Sequence, residues 1–315
     1  MPEIMIIGDV TVDHFITIPD NYAETEDTDN NGTKELLLPF GEKVPVDNVE
    51  MHCGGNAANI AIGLKRLGIN SYPIIPVGKD TSSIFCLSAL EKENVVIDYN
   101  YISDENICNT SYILRFHGER TILSHHNKKI YFIPDTINTP YIYYSSHDGD
   151  NNQLSIEVLK QISDQSSKLI FAPGNTQIKG DKNILETLIS KSYLTICNKE
   201  EAYKILSIID GSDIDAIKML YRLAHMGSHH VVITDGGNGV YFLDGETGEI
   251  GHFPSTIGKN DIVDSTGAGD AMCTSVIYKF IKDESLAEGV KFGLMNSASV
   301  LKYIGAQAGL LSSLS

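Results

Sequence analysis

Apolar runs of strand length recur along this chain with helical patterns between them, and that alternation limits the possible folds more than any other feature. The runs are "IMIIG" from Ile4, "YPIIPVG" from Tyr72, "YIYYS" from Tyr141, "KLIFAPG" from Lys168, "LTICN" from Leu194 and "VVITDGG" from Val231. Between several of them lie "NAANIAIGLKRLG", "SIFCLSALEKENV" and "NQLSIEVLKQISDQS", which read as helices. Strands apolar on both faces and alternating with helices predict an α/β fold, a parallel sheet covered by helices. Several runs end in Gly, Pro, Asn or Ser, which places turns at the carboxyl ends of the strands. In open α/β sheets that edge binds ligands.

Two stretches break the rhythm. Residues 20–34 are polar and acidic and read as an exposed, mobile loop. Residues 96–133 hold "SYILRF" and "TILSHH" around an "HGER" turn, a hairpin pattern rather than a βαβ unit. They predict a small β-structure apart from the main sheet, suited to a lid. "DGGNG", between two β-prone runs, reads as another hairpin turn. "LAEGVKFGLMNSASVLKYIGAQAG" predicts a buried helix ending near Gly305. At 315 residues the chain is one large domain or a main domain with a smaller appendage, and no internal repeat is visible.

The 41 acids outnumber the 24 Lys and Arg, for a net charge of −17, which opposes binding to nucleic acid or an anionic membrane. An anionic ligand would have to be held locally, by backbone amides, a metal or a few cations. The five cysteines are scattered without a C-x-x-C pair, so reduced thiols are expected rather than a zinc site or disulfides. The ten histidines, including His125–His126 and His229–His230, show no metal spacing and read as surface or loop residues. "MPEIMIIGDV" lacks a secretory pattern, and no apolar run approaches the ~18 residues of a membrane span. A cytoplasmic protein is the expectation.

The richest stretch for chemistry is "DSTGAGDAM", Asp264 to Met272, directly before an apolar helical run. Glycines ahead of a helix let the backbone approach a ligand, and the first-turn amides form an anion site. Asp264, Ser265 or Thr266 could simply cap that helix. Capping, however, leaves Gly267, Gly269 and Asp270 unexplained. "CGGNAANIAIGLKRLG" sets Gly54 and Gly55 before a helix, with Asn56 and Asn59 on one face. "ICNKEEAYKIL" carries Asn198 and Glu201 at the spacing of a capping box. Asp13 follows the first strand, where an acid can bind substrate hydroxyls or be an ordinary loop residue. There is no G-x-x-x-x-G-K-[ST] and no G-x-G-x-x-G after the first strand, which disfavours P-loop and Rossmann sites.

Taken in chain order these motifs resemble the ribokinase-like (PfkB) carbohydrate kinase family across essentially the whole chain. The set runs Gly8 and Asp13; Gly54, Gly55 and Asn59; Asn198 and Glu201; Thr234, Gly236 and Gly239; then D-S-T-G-A-G-D. The resemblance implies a three-layer sandwich, a mostly parallel sheet flanked by helices, with a β lid built from segments near 12–50 and 96–134. It implies a single kinase domain over 1–315 that phosphorylates a hydroxymethyl group with ATP. By the same analogy Asp270 is the catalytic base, and the amides of Gly267, Ala268 and Gly269 form the anion hole. Asp13, Gly54, Gly55 and Asn59 match substrate-binding positions, and Asn198, Thr234, Gly236, Gly239 and Asn296 match ATP-binding ones. Glu201 matches a position that meets Mg2+ through water. Asp264 and Thr266 match positions that bind a monovalent cation such as K+ in some members.

The hydroxyl-binding set suits a neutral sugar, with a nucleoside as the alternative acceptor. A phosphorylated sugar would need extra cations, and Arg115, Arg120, Lys128 and Lys129 in the lid are the nearby cluster. Lids of this family pair between subunits in some members, so a homodimer is expected through the lid. A non-catalytic sugar- or nucleotide-binding regulator on the same fold is the competing class, and an intact G-A-G-D argues against it. A dehydrogenase-like nucleotide enzyme would require NAD binding.

Overall fold

The computed structural model describes residues 3–27, 34–97, 105–117, 119–134, 137–148, 151–207 and 214–312. In chain order the strands are β1 (Ile4–Ile7), β2 (Thr11–Thr17), β3 (Glu24–Asp27), β4 (Lys34–Leu37), β5 (Asn48–Gly54), β6 (Ser71–Ile74) and β7 (Asn109–Phe116). They continue with β8 (Glu119–His125), β9 (Tyr141–Ser145), β10 (Lys168–Ala172), β11 (Ser192–Asn198), β12 (His230–Thr234), β13 (Val240–Leu243) and β14 (Ile250–Phe253). The helices are α1 (Asn56–Arg66), α2 (Thr81–Lys92), α3 (Asn151–Gln165), α4 (Asn175–Ile178) and α5 (Lys182–Lys191). After these come α6 (Lys199–Ile205), α7 (Ala216–His225), α8 (Ala268–Ile281) and α9 (Leu286–Val300).

Side chains alternate across a strand, so a strand apolar at every position must be covered on both faces. In β1, Ile4 and Ile6 enter a core with α1, α2, α8 and α9, while Met5 and Ile7 enter another with α3, α5 and α7. The same division runs through β10, where Ile170 faces the first cluster and Leu169 and Phe171 the second. The result is three layers around an eight-stranded sheet of order β14-β13-β12-β11-β10-β9-β1-β6. The six runs picked out in the sequence are its six parallel strands, and β13 and β14 extend one edge antiparallel. The "DGGNG" segment is the turn between β12 and β13, as expected of a hairpin.

The lid is a separate four-stranded sheet, β5-β2-β7-β8, in which β7 and β8 form the expected hairpin. Part of the region read as lid, 98–104 and 118, lies outside the described residues. The acidic 20–34 stretch departs from the expected loop, because β3 and β4 pair antiparallel at its two ends. Leu36 and Ala23 pack there with Ile18 and Phe116, which gives the pair an apolar anchor. Residues 28–33, between those strands, lie outside the described residues. The last helix is shorter than its pattern: α9 ends at Val300, and the chain turns through Gly305 at φ 82°.

The reading of the histidines as surface or loop residues needs correction. His230 is 2 % exposed, in β12, because its ring packs against Tyr193 and Phe280; His147 is buried beside Tyr144. The cysteines follow the expectation: all five are free, and all are buried, with Cys53 and Cys108 as neighbours of Cys86 beneath the lid.

Candidate active site

The site forms where α8, α1 and the lid converge. α8 begins after Gly267, whose φ of 80° is left-handed, and a Cβ there would fall 2.3 Å from that of Ala306. Only glycine makes this turn without strain. No side chain caps α8. The Asp264 carboxylate, a candidate cap by sequence, instead accepts from Thr266 N and Oγ1 and from Gly305 N. The first four amides of a helix have no intrahelical acceptor, so those of Gly267, Ala268, Gly269 and Asp270 are available to an anion.

Asp270, in the first turn of α8, accepts a 2.7 Å hydrogen bond at Oδ2 from Nδ2 of Asn59 in α1. Loss of hydration raises its pKa to about 6, and the Asn59 bond opposes that shift only in part. A carboxylate with this pKa is ionised at neutral pH yet basic enough to accept a proton. The close approach of the two helices has a sequence cause: a Cβ on Gly63 of α1 would meet Thr274 of α8 at 2.7 Å.

Gln307 fixes the orientation of Asn59. Its Nε2 donates to Asn59 Oδ1 at 2.9 Å and to Cys53 O at 2.7 Å. Sequence reasoning missed it, since "GAQAG" offers no pattern tying a glutamine to residues far earlier in the chain.

Cys53 leads to the lid side of the site. Asp13 of β2 is 7 % exposed, and burial raises its pKa to about 6 against the bonds from Ser111 and Thr11. Gly54 stands beside it: a Cβ at 54 would lie 2.2 Å from Asp13 Oδ2. Gly55, at φ 90°, packs on the backbone of Asp9 and Val10. The network Asp13–Gly54–Cys53–Gln307–Asn59–Asp270 therefore unites the residues singled out at both ends of the site.

Of the remaining candidates, Asn198 and Thr234 lie at the carboxyl ends of β11 and β12, and Asn296 lies apart from them in α9. Asn198 and Glu201 form a full capping box at the start of α6, with both bonds at 2.8 Å, so the capping reading of N-x-x-E is realised. Burial also raises the Glu201 pKa. Thr234 ends β12 beside Asn198, and Gly236 and Gly239 make the following turn at φ 49° and 96°. Asn296 is fully buried; its amide donates to Ala271 O and Ser275 Oγ and accepts from Leu311 N. It ties α9 and the C-terminal segment to α8 and presents no open face to a ligand. A cleft of about 380 Å³ is lined by Thr256, Ile257, Asp261, Ala298 and Lys302, and not by Asn296. A larger cavity of about 860 Å³, between α5, α6 and α7, belongs to the other face of the sheet and holds none of these residues.

The four lid cations do not form one cluster, although the two arginines share a target. Lys129 is buried and donates to Ile107 O, Lys128 is exposed, and Arg115 and Arg120 reach residues 263–265. Two His-containing clusters occur among the described residues. In one, the Asn109 amide already bridges Asp9 and Asp148; in the other, His230 Nδ1 accepts from Gly245 N.

Comparison with known proteins completes this picture. The family model for pfkB family carbohydrate kinases matches residues 22–313. The ATP-dependent 6-phosphofructokinase of Thermoanaerobacterium thermosaccharolyticum is 26 % identical over 86 % of this chain and 85 % of its own length. The solved nucleoside kinase of Methanocaldococcus jannaschii superposes with a TM-score of 0.74 over 99 % of this chain and 96 % of that one, at 19 % identity. Arabidopsis thaliana ribokinase, solved with ribose and ATP, gives 0.75 over 97 % and 94 %, at 15 % identity. The chain belongs to the pfkB family of carbohydrate kinases. It is an ATP-dependent sugar or nucleoside kinase on the ribokinase fold.

Proposed function

We propose that this enzyme transfers the γ-phosphoryl group of ATP to the hydroxymethyl group of a small neutral sugar. The observation that carries the reading is Asp270, held by Asn59 in the first turn of α8 next to uncapped amides. Asp270 takes the proton of the attacking hydroxyl, a role worth ~10²–10⁴-fold. The amides of Gly267, Ala268 and Gly269 receive the charge of the transferring group, and phosphoryl transfer asks mainly for such positioning and neutralisation. Asp13, the Gly54–Gly55 turn and Asn59 hold the other hydroxyls of the acceptor. A neutral acceptor is favoured because Lys129 is occupied and the lid arginines reach the loop before α8.

The nucleotide lies along Asn198, Thr234, Gly236 and Gly239, with the cleft at Thr256 and Ala298 receiving its base. Glu201, with Oε2 bound to Asn198 N, retains Oε1 for a water of the Mg2+ that accompanies ATP and neutralises its phosphates. The chain acts as one kinase unit, with its lid sheet excluding water from the transfer. A second copy of this chain is the proposed partner of the lid's outer face. Met51, Tyr112 and Leu123 stand there in one cross-strand row with His14, each 44–54 % exposed apart from His14.

The test is ATP consumption against a panel of pentoses, hexoses, their phosphates and nucleosides. Turnover with a neutral sugar supports the reading. Turnover with a nucleoside alone replaces the acceptor and leaves the transfer chemistry. Ligand binding without ATP consumption across the panel overturns both.

A further inference from the structure

Two arginines of the lid reach across to the loop that precedes α8. Arg115 and Arg120 are direct cross-strand partners on β7 and β8. Through the register Thr17–Arg115 they lie on the same face of the lid as Asp13 and Ser111. Arg115 donates to Val263 O at 3.3 Å, and Arg120 donates to Asp264 Oδ1 at 3.1 Å and to Ser265 Oγ. Asp264 is 6 % exposed, and its two oxygens also take Gly305 N, Thr266 N and Thr266 Oγ1. A buried carboxylate needs a counter-charge, and one whose oxygens already meet four donors has little capacity left for a metal ion. The family resemblance implies a monovalent cation at Asp264 and Thr266; these residues do not fit it, because a guanidinium already stands there.

We infer that Arg120 is a positioning residue that supplies the positive charge at Asp264 from the lid, so that this kinase works without a monovalent cation at that position. The inference rests on the kinase reading of the site. Residues 264–266 lead directly into Gly267, the residue that sets the course of the α8 amides. Arg120 reaches Asp264 only when the lid lies over the site, so closing the lid also fixes the loop that carries the anion hole. Both contacts come from Nη1 of Arg120, so an ammonium supplies the charge but, on a shorter stem, does not reproduce its position.

The experiment compares wild type, Arg120→Ala and Arg120→Lys in K+, Na+ and tetramethylammonium at constant ionic strength. Melting temperature of the ligand-free protein is measured beside kcat and KM. Wild type is expected to melt and turn over alike in all three salts. Arg120→Ala is expected to lose about 10–100-fold in kcat with a smaller change in the KM for ATP. Added guanidinium, or K+ specifically, should restore part of that loss, and Arg120→Lys should fall between. A K+-specific rise in melting temperature and several-fold activation of wild type would overturn the inference. So would an unchanged kcat in a folded Arg120→Ala. If no acceptor is phosphorylated, the kinase reading fails on its own, while the salt-dependent melting of wild type and Arg120→Ala still decides which cation Asp264 holds.

Discussion

Replacing Gly54 by alanine probes the acceptor side of the site with a single methyl group. Gly54 does not lie in the left-handed region, so alanine can adopt its backbone, yet its Cβ would stand 2.2 Å from Asp13 Oδ2, 3.0 Å from Cγ and 3.3 Å from Thr11 Cγ2. An ordinary carbon–oxygen approach is ~3.3 Å, so the carboxylate must retreat by about 1 Å. The displaced atoms end a side chain, so the fold should survive with an overpacking cost of about 1–3 kcal/mol. A ~1 Å misplacement of a positioning group can cost ~10²-fold in rate. Steady-state kinetics on the acceptor found by the panel should therefore show kcat/KM down about 100-fold, with the KM for ATP little changed. A folded variant within about a factor of two of wild type would refute the claim that Asp13 holds the acceptor.

Other predictions follow from the same geometry. Protonated Asp270 cannot act as base, so kcat should fall with decreasing pH below about 6, and kcat/KM should fall more steeply because Asp13 titrates at about 6 as well. A single shallow limb near 3.8, the ordinary aspartate value, would contradict both shifts. Gln307→Leu strands Asn59 Oδ1 and Cys53 O, and should lower kcat/KM about tenfold, or ~1.4 kcal/mol, in an enzyme that still binds ATP by titration calorimetry. Paired Tyr112→Lys and Leu123→Glu substitutions on the exposed lid face should shift a dimer to monomer in sedimentation velocity; a monomeric wild type would rule out that partner.

The sheet was legible because strands buried on both faces cannot hide an apolar run, and all six parallel strands announce themselves that way. The lid hairpin was legible from its turn, whereas β3 and β4 were masked by acidic side chains whose pairing owes little to periodicity. The α8 entry could be read from G-A-G-D, since a left-handed turn against Ala306 demands glycine. The roles of Gln307 and Arg120 could not be read: each acts through contacts to residues more than a hundred positions away. His230 was misread for a related reason, because neighbouring rings rather than a sequence pattern decide its burial.

The acid inside the first turn of α8, not the one before it, is the proposed carrier of the chemistry, and its burial opposes stability. For a carboxylate raised from 3.8 to about 6, the folded state holds its proton longer, so stability is lost as pH rises through that window. The shift sets an upper bound of ~3 kcal/mol. The direct test is Asp270→Asn, assayed for single-turnover phosphoryl transfer beside urea unfolding at pH 7. Transfer should fall at least a hundredfold (~10²) with ATP still bound, in a protein as stable as wild type or more so. Near-normal transfer in a folded Asp270→Asn would remove Asp270 as the base.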